Sequence, residues 1–277
     1  TVSLNVTSSD GCVHDTTIIL NTLHPQPKAD FTINKAAICI GDNVGFTSQS
    51  GGGDGTIVSW NWNFGDASAP ATNSNPTHLY SSPDNYNVQH FITNSFGCNS
   101  DTVSKPFKVY AIPTVDAGPD IFVLESGTAT LDPVYTGEDN SYLWTPSDYL
   151  NSTTIARPVT KPLMDVTYTI TVSNPGGCSN SDQVFVKVLL GPKIPNTFSP
   201  NGDGINDKWI IEFLDTYPNC KVMVFTRAGQ KVFESRGYKI PWNGTINGKS
   251  LPLDTYYYII EPENGRKPVT GYVTIIK

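Results

Sequence analysis

The feature that most constrains the fold is a Gly-Cys pair that recurs three times at long and similar spacing. Residues 6–12, 92–98 and 172–178 each end in Gly-Cys, and each is followed by an aspartate and an apolar run. The residues before each pair alternate between apolar and polar, which is the pattern of a half-buried strand. The cysteines lie about 80 to 86 residues apart, which suits one immunoglobulin-sized β-sandwich per repeat.

Composition supports a series of small β domains. The chain has 277 residues, with 23 Gly and 21 Pro, and this exceeds one typical domain. Prolines cluster around positions 25–27, at 113 and at 192–195, where they would stiffen short linkers and stop strands from pairing across them. We therefore predict an all-β fold of tandem immunoglobulin-like β-sandwiches, with boundaries near 25, 111 and 191.

Charge and hydropathy exclude several classes of function. Only 16% of the residues are charged and the net charge is −7, so the clustered Lys and Arg of a nucleic-acid partner surface are missing. No apolar run reaches the roughly 20 residues that a membrane-spanning helix needs. We expect no transmembrane segment of the chain's own and no nucleic-acid partner.

The first 24 residues are predicted to be the C-terminal end of a domain. Residues 1–24 hold only two predicted strands, which is too little to bury a core. We expect them to be the C-terminal strands of a truncated repeat, with further repeats upstream in the same protein.

The cysteines point to an oxidising compartment. The five cysteines form no Cys-x-x-Cys pair, and no histidine lies at a spacing that suits zinc. Isolated cysteines in a β-rich sequence are typical of structural disulfides formed outside the cytoplasm. Because the number is odd, at least one cysteine has no partner within this sequence.

The last 84 residues carry a specific resemblance. Residues 194–207 read IPNTFSPNGDGIND, and the pattern continues through residues 220–225, 242–244, 255–258 and 271–273. This segment resembles the type B C-terminal sorting domain of the type IX secretion system, the gliding motility-associated C-terminal domain of Bacteroidota. The family usually has Asn-Arg-Trp-Gly where this chain has residues 226–229, TRAG, so recognition through that tryptophan is not expected here.

A second resemblance covers the middle of the chain. Residues 60–66 read WNWNFGD, residues 75–80 read NPTHLY and residues 86–88 read YNV, which is similar to the PKD domain, a β-sandwich. In that family a second-strand cysteine often pairs with the cysteine of the Gly-Cys turn, which implies a disulfide between Cys39 and Cys98. Residues 111–190 resemble the immunoglobulin-like repeat that often precedes type B sorting domains.

These resemblances complete the predicted architecture. We predict tandem immunoglobulin-like (PKD-like) β-sandwiches that end in a small β-sandwich sorting domain. Its parts are the truncated repeat 1–24, the PKD-like domain 25–110, the immunoglobulin-like repeat 111–190 and the sorting domain 191–277.

Three cysteines remain after this pairing. By the same logic Cys12 would pair with a residue upstream of Thr1. Cys178 has no evident partner in its own repeat, and Cys220 begins an apolar run typical of a buried thiol. A bridge between Cys178 and Cys220 stays open as an alternative.

One loop of the sorting domain is a candidate calcium site. Asn201, Asp203, Asn206 and Asp207 place four oxygen-bearing side chains within seven residues, and the glycines between them allow a tight backbone. The alternative is a turn in which the same side chains accept hydrogen bonds from their own backbone. Both interpretations stay open, so calcium is the cofactor to test.

Catalytic chemistry is not indicated. The four histidines lie in different contexts, and none is near a serine or cysteine in a recognisable nucleophile motif. Trp60, Trp62 and Phe64 share one face of a strand, which a sandwich core would cover, although exposed aromatic faces could also stack on sugars. We predict that the chain is not an enzyme.

The predicted function follows from the sorting domain. We expect the C-terminal part of a secreted cell-surface adhesin of the gliding-motility type, attached at the outer membrane. Its stalk repeats would precede a signal for type IX secretion. The resemblance implies an outer-membrane β-barrel of the secretion and attachment machinery as partner. The alternative is a set of glycan-binding accessory repeats of a secreted polysaccharide-degrading enzyme.

The partner contact is predicted at the last strand. Strand addition at an exposed edge would use main-chain hydrogen bonds. An ordinary core strand is the alternative for the same residues. The predicted contact residues are Tyr272, Val273, Thr274, Ile275 and Ile276.

Overall fold

The computed structural model describes residues 1–19 and 24–277, and these residues divide into two compact units. The first unit comprises Thr1–Pro113 with Gly137–Asp139 and Asn174–Ser179. The second comprises Thr114–Thr136, Asn140–Ser173 and Asn180–Lys277. Residues 20–23, which the sequence places at the end of the truncated repeat, lie outside the described residues. In the described residues no helix is long and apolar enough to span a membrane.

The first unit begins with a β-hairpin. Strand β1 (Val2–Thr7) pairs antiparallel with β2 (Val13–Ile18), so that Val2 lies opposite Ile18. Alternation puts the apolar side chains of β1 on one side, and Val2, Leu4 and Val6 there are 57%, 59% and 54% exposed. The hairpin therefore has an uncovered apolar face.

The PKD-like domain is a sandwich of two sheets. One sheet has the order β3-β5-β7 and the other β4-β9-β8-β6. The strands are β3 (Phe31–Ile33), β4 (Ala37–Cys39), β5 (Asn43–Ser48), β6 (Ile57–Asn63), β7 (Thr77–Leu79), β8 (Asp84–Asn94) and β9 (Val103–Tyr110).

Aromatic side chains fill the space between these two sheets. Trp62 on β6 and Phe64, which directly follows that strand, are 1% and 3% exposed. The ring centroid of Trp62 lies 5.3 Å from that of Phe31 in an edge-to-face arrangement. Burying such large rings supplies most of the hydrophobic free energy of a small domain, at about 25 cal/mol per Å² of apolar surface. The predicted core face is the observed one.

The disulfide differs from the predicted one. Cys39 is bonded to Cys178, and Cys98 is free and half-buried. Strand β4 runs parallel to β9 with Cys39 opposite Tyr110, at the end of the sheet where β8 begins. Cys98 follows the other end of β8, and 11 strand residues at about 3.3 Å each separate the two ends by roughly 30 Å. The predicted Cys39–Cys98 bond is therefore wrong, and so is the alternative between Cys178 and Cys220.

The second unit contains the sheets of the repeat. Its four-stranded sheet has the order β11-β17-β16-β14, and two two-stranded sheets pair β10 with β13 and β12 with β15. The strands are β10 (Val115–Asp116), β11 (Ile121–Leu124), β12 (Ala129–Thr130), β13 (Val134–Tyr135), β14 (Ser141–Thr145), β15 (Val159–Thr160), β16 (Val166–Ser173) and β17 (Ser179–Leu189).

The core of this repeat surrounds Trp144 and Tyr168, both of which are fully buried. The indole N–H of Trp144 donates to the carbonyl of Ile155 at 3.1 Å. The hydroxyl of Tyr168 donates to the carbonyl of Asp148 at 2.7 Å. The polar atoms of these two buried rings therefore have partners, as a packed core requires.

The C-terminal strands form one five-stranded sheet and a small two-stranded sheet. The order in the larger sheet is β18-β24-β23-β19-β20, and β21 pairs with β22. The strands are β18 (Thr197–Phe198), β19 (Lys221–Phe225), β20 (Lys231–Arg236), β21 (Thr245–Ile246), β22 (Lys249–Ser250), β23 (Thr255–Glu261) and β24 (Val269–Ile275). A single 3₁₀ turn (Leu214–Thr216) lies between β18 and β19.

The hydrophobic core of this C-terminal sheet extends into the repeat. Leu189, the last residue of β17, is fully buried within the same cluster as Val222 and Ile260. Leu124, the last residue of β11, packs against that cluster as well. The residues from 191 onward therefore depend on the preceding repeat for part of their core.

Candidate functional site

One face of the five-stranded sheet is committed to the core. Tyr256 and Tyr258 point to this face, and Tyr256 is 3% exposed. Gly271 lies beside Tyr258, and a Cβ atom there would come within 2.4 Å of the Tyr258 hydroxyl. The absence of a side chain at Gly271 thus lets the Tyr258 ring lie across β24, with its ring centroid 5.2 Å from that of Trp209.

Two buried tryptophans hold the loops over this face. The backbone N–H of Trp209 donates to the carbonyl of Trp242 at 2.7 Å, and its indole N–H donates to the carbonyl of Pro195, also at 2.7 Å. The hydroxyl of Tyr238 donates to the carbonyl of Trp209. The indole N–H of Trp242 donates to the carbonyl of Thr245 at 3.1 Å. The Trp-Asn-Gly motif at 242–244 is therefore a structural element of the core.

The opposite face of the sheet carries a row of aromatic residues. Phe225, Tyr257 and Tyr272 lie directly opposite one another on β19, β23 and β24. Tyr257 and Tyr272 are 46% and 52% exposed. Arg227 lines the shallow groove beside them. This apolar and hydrogen-bonding surface is available to a partner, and of its residues the sequence predicted Tyr272 as a contact.

The last strand is partly covered along its outer edge. The N–H groups of Thr274 and Ile276 donate to the carbonyls of Asn196 and Phe198 at 2.8 and 3.1 Å. The C-terminal half of β24 is therefore already paired with β18. The side chains of Val273 and Ile275 are 0% and 2% exposed, so they are core residues and not partner contacts, which corrects that part of the prediction.

The N-terminal half of the same edge is open. Along a strand in an antiparallel sheet, the backbone N–H and C=O groups of successive residues point to opposite edges. Those of Thr270 and Tyr272 therefore point to the same edge of β24 as those of Thr274, which is the edge that pairs with β18. Within the described residues β18 pairs only with Thr274 and Ile275, and no other strand lies on that side. The edge that could accept an added strand thus lies at 270–272, ahead of most of the predicted residues.

The candidate calcium loop is exposed and hydrogen-bonded internally. The Asp207 carboxylate accepts backbone N–H groups from Gly202 at 2.7 Å and from Gly204 at 2.8 Å, and these bonds lower its pKa. The Asn201 side chain donates to Asp203 at 3.0 Å. In the part of the chain that the structure describes, no group of three or more His, Cys, Asp and Glu side chains is arranged to hold a metal. The calcium hypothesis for Asn201, Asp203, Asn206 and Asp207 stays a prediction.

His90 is one of two histidines inside the PKD-like domain, and it is fully buried. Its ring stacks on Trp62 at 3.8 Å, and Nδ1 lies 3.1 Å from the carbonyl of Asn61. That carbonyl requires Nδ1 to carry the proton, so Nε2 is an acceptor, and it lies 3.2 Å from the hydroxyl of Ser48 and 3.1 Å from that of Ser50. Burial lowers the pKa of His90. The ring is a core element with satisfied nitrogens.

His78 is paired with an aspartate. Its Nε2 lies 2.7 Å from the carboxylate of Asp66, and its ring stacks on Phe64 at 4.0 Å. The backbone N–H of Ser68 donates to the same carboxylate at 3.1 Å. Burial acts to raise the pKa of Asp66, but the hydrogen bonds from Ser68 and His78 outweigh it and the pKa is lowered. Because Ser68 contacts the carboxylate and not the imidazole, the group lacks the serine-to-histidine contact of a hydrolytic triad.

Comparison with known families agrees with these domains. Residues 192–275 match the Type IX secretion signal domain family, and residues 24–109 match the PKD domain family. The protein is therefore a secreted multi-domain β protein with a C-terminal sorting signal. The chain carries a type IX secretion signal domain preceded by a PKD domain, as predicted, and it is handled by the type IX secretion machinery. Both matched domains are non-catalytic in kind.

Solved structures with similar domains include two bacterial ones. The PKD1 domain of Vibrio anguillarum Epp is 23% identical and covers 31% of this chain and 96% of its own, with a TM-score of 0.28. The PKD1 domain of the Vibrio cholerae metalloprotease PrtV is 29% identical and covers 31% and 98%, with a TM-score of 0.27. Extracellular domains 3–5 of Drosophila OTK are 13% identical and cover 92% and 99%, with a TM-score of 0.32. No curated protein matches the chain at a significant level.

Proposed function

We propose that the chain is the C-terminal part of a secreted adhesin of the gliding-motility type from a member of the Bacteroidota. The repeats act as a stalk, and residues 191–277 direct export and then hold the protein at the outer surface. The single observation that carries this proposal is the type IX secretion signal domain at 192–275, at the C-terminal end of the repeats. The proposed partner is an outer-membrane β-barrel of the attachment machinery.

The distribution of tryptophan favours a stalk over a glycan-binding module. Sugar-binding sandwiches need exposed aromatic faces on which pyranose rings can stack. Of the three tryptophans in the two repeats, Trp60 is half-buried against the core of the PKD domain, and Trp62 and Trp144 are 1% and 0% exposed. The indole N–H groups of Trp62 and Trp144 donate to backbone carbonyls at 2.9 and 3.1 Å, so neither of these two rings presents a face or a donor to a ligand. The repeats are better suited to spacing than to binding.

Charge supports a binding role for the sorting domain. Residues 191–277 contain eleven Lys and Arg against eight Asp and Glu, whereas the whole chain has a net charge of −7. An excess of positive charge on one domain of an acidic chain gives that domain a different set of attractive partners. We expect its partner surface to be acidic and apolar, which would match Arg227 and the exposed tyrosines of the outward sheet face.

Two binding experiments distinguish the adhesin function from the glycan-binding alternative. Residues 1–277 carrying an affinity tag are displayed from a type IX-secreting strain, and outer-membrane proteins are captured after mild cross-linking. Capture of a β-barrel that is lost when residues 191–277 are deleted supports the adhesin. The same purified chain is incubated with chitin, cellulose and other insoluble polysaccharides. Retention on a polysaccharide without barrel capture would favour accessory repeats of a secreted enzyme.

A further inference from the structure

The three Gly-Cys loops are copies of one structure. In each loop the backbone N–H of the first residue donates to the carbonyl of the cysteine. The bonds are Ser8 to Cys12 at 2.8 Å, Asn94 to Cys98 at 3.0 Å and Asn174 to Cys178 at 3.1 Å.

The side chain of the first residue completes the same frame. Asn94 Oδ1 accepts the backbone N–H of Cys98 at 3.0 Å, and Asn174 Oδ1 accepts that of Cys178 at 3.3 Å. In the first loop Ser8 Oγ accepts the N–H of Cys12 at 3.1 Å. The three cysteines therefore occupy equivalent positions at the tip of equivalent hairpins.

In the third loop the cysteine at this position forms a disulfide with the preceding domain. Cys178 is bonded to Cys39, which lies on a strand of the preceding domain, 139 residues earlier. The loop packs against the junction that follows that domain, since Asn174 Nδ2 donates to the carbonyl of Ala111 at 3.0 Å. Gly176 lies so close to the carbonyl of Ile38 that a Cβ atom would come within 2.5 Å of it. The glycine thus lets the loop approach the strand that carries Cys39.

The second loop contacts the segment that leads into its own domain in the same way. The ring of Phe96 stacks on that of His24 at 3.7 Å, and the Gln26 side chain donates to the carbonyl of Asn99 at 3.2 Å. Cys98 is half-buried and unbonded among the described residues. Cys98 therefore occupies a position equivalent to that of Cys178, in a loop that contacts the junction before its own domain, but without the bond.

Among the described residues the β1–β2 hairpin has an uncovered apolar face and a free edge beside β2. Tyr168, Ile170 and Val172 on β16 are all 0% exposed, because a second sheet covers them. The equivalent side chains on β1 are more than half exposed. In the two complete sandwiches a short strand runs parallel to the last strand, as β4 does beside β9 and β11 beside β17. The same arrangement would place a strand parallel to β2, next to Ile18.

We propose that Cys98 forms a disulfide with a cysteine on that strand, in the segment of the protein that completes the β1–β2 sandwich. The Cys39–Cys178 bond is then one member of a series that joins each repeat to the next, with Cys12 forming the bond before it. The series ends ahead of the sorting domain, because Leu124 and Glu125 take the place of Cys39 at the end of β11. There Glu125 forms an ion pair with Arg266 at 3.3 Å instead.

Each bond of the series forms by thiol–disulfide exchange. The Cys98 thiolate attacks the disulfide of an oxidising dithiol carrier outside the cytoplasm and forms a mixed disulfide. The partner thiolate then displaces the carrier, so the S–S bond forms between the repeats. The carrier leaves as a dithiol with the two electrons, and it takes up the two protons released by the cysteines.

The proposal is tested on the full-length protein as the producing cells export it. Free thiols are blocked with an alkylating reagent in denaturant, the protein is digested without reduction, and linked peptides are identified by mass spectrometry. The expected result is Cys98 joined to a peptide from the sequence that precedes residue 1, Cys39 joined to Cys178, and Cys220 alkylated. Alkylated Cys98, or Cys98 joined to Cys12 or Cys39, would overturn the proposal.

A matched variant separates this bond from a structural effect. In the full-length protein, Cys98→Ser should release one new alkylatable thiol, in the preceding segment, whereas in residues 1–277 it should only remove one. Cys220→Ser is the control, since Cys220 is buried and should release no other thiol in either protein. If Cys98→Ser releases no new thiol in the full-length protein, the inter-repeat bond does not exist.

Discussion

The Nε atom of Arg266 donates a hydrogen bond to the hydroxyl of Tyr217 at 2.6 Å. The Tyr217 hydroxyl in turn donates to the carbonyl of Leu190 at 2.8 Å, and Nη2 of Arg266 lies 3.4 Å from the carbonyl of Leu189. Both leucines belong to the end of the repeat that precedes the sorting domain. A chain of polar contacts therefore joins the two domains of the second unit beside the apolar cluster that they share.

Arg266→Met should lower the free energy of unfolding of the second unit by about 1.5–3 kcal/mol, because hydrogen bonds to charged groups are worth that much and the Tyr217 hydroxyl would lose its charged donor. Glu125→Gln should cost under about 1 kcal/mol, since that carboxylate is 51% exposed and forms a surface ion pair. Urea unfolding of residues 1–277 followed by tryptophan fluorescence measures both. Equal losses would mean that the ion pair, and not the contacts with Tyr217 and Leu189, carries the stabilisation.

Leu189→Ala should destabilise the sorting domain even though the residue precedes it in sequence. Leu189 is fully buried in the core of that domain, and large-to-small changes at such sites cost about 2–5 kcal/mol. Leu163→Ala is the matched control, because Leu163 is 68% exposed and should change stability by less than about 0.5 kcal/mol. Hydrogen exchange at β19 and β23 localises the effect. Unchanged protection of these strands in Leu189→Ala would show that the shared core is not energetically coupled.

The stability of the PKD domain should fall as the pH drops below about 6.5. Burial lowers the pKa of His90 from its ordinary value of 6.5, so the unfolded chain binds a proton that the folded domain does not. The free energy of unfolding is then constant above pH 6.5 and falls as the pH decreases below 6.5. Asp30 and Asp66 have pKa values lowered from 3.8, so their contributions are lost only at more acidic pH. In His90→Gln the slope between pH 6.5 and 5 should disappear, and a retained slope would assign it to another group.

The Asn201–Asp207 loop should keep its structure without a metal. Because backbone N–H groups from Gly202 and Gly204 occupy both oxygens of Asp207, adding calcium or a chelator should leave the melting temperature of residues 1–277 unchanged. Asp207→Ala should lower it, because those N–H groups lose their acceptor. Calorimetry measures both. A rise in melting temperature with calcium that Asp207→Ala abolishes would establish the cation site instead.

Local patterns in the sequence predicted which side chains are buried. Alternation in residues 60–64 correctly assigned Trp62 and Phe64 to the core. These assignments succeed because the direction of a side chain in a strand depends only on its position in that strand. The family resemblances supplied the order of domains, since their motifs lie at turns and core positions that recur together.

Long-range pairing could not be predicted in the same way. The partner of Cys39 depends on β4 running parallel to the end of β9, and neither alternation nor spacing reveals which end of a sheet a short strand meets. The sequence shows that the three Gly-Cys loops are equivalent. The resemblance to the PKD family, however, implies a disulfide within one domain and not between two. The coverage of β24 was missed because β18 has only two residues, too few to carry a periodic pattern.

The C-terminal domain is expected to act as a type IX export signal, which a secretion assay tests. Residues 111–277, which include the repeat that shares the sorting-domain core, are fused behind a signal peptide and a fluorescent protein in a type IX-secreting member of the Bacteroidota. The reporter should reach the cell surface in the parent strain and stay in the periplasm when the translocon is inactivated. Surface delivery in both strains, or periplasmic retention in both, would contradict it.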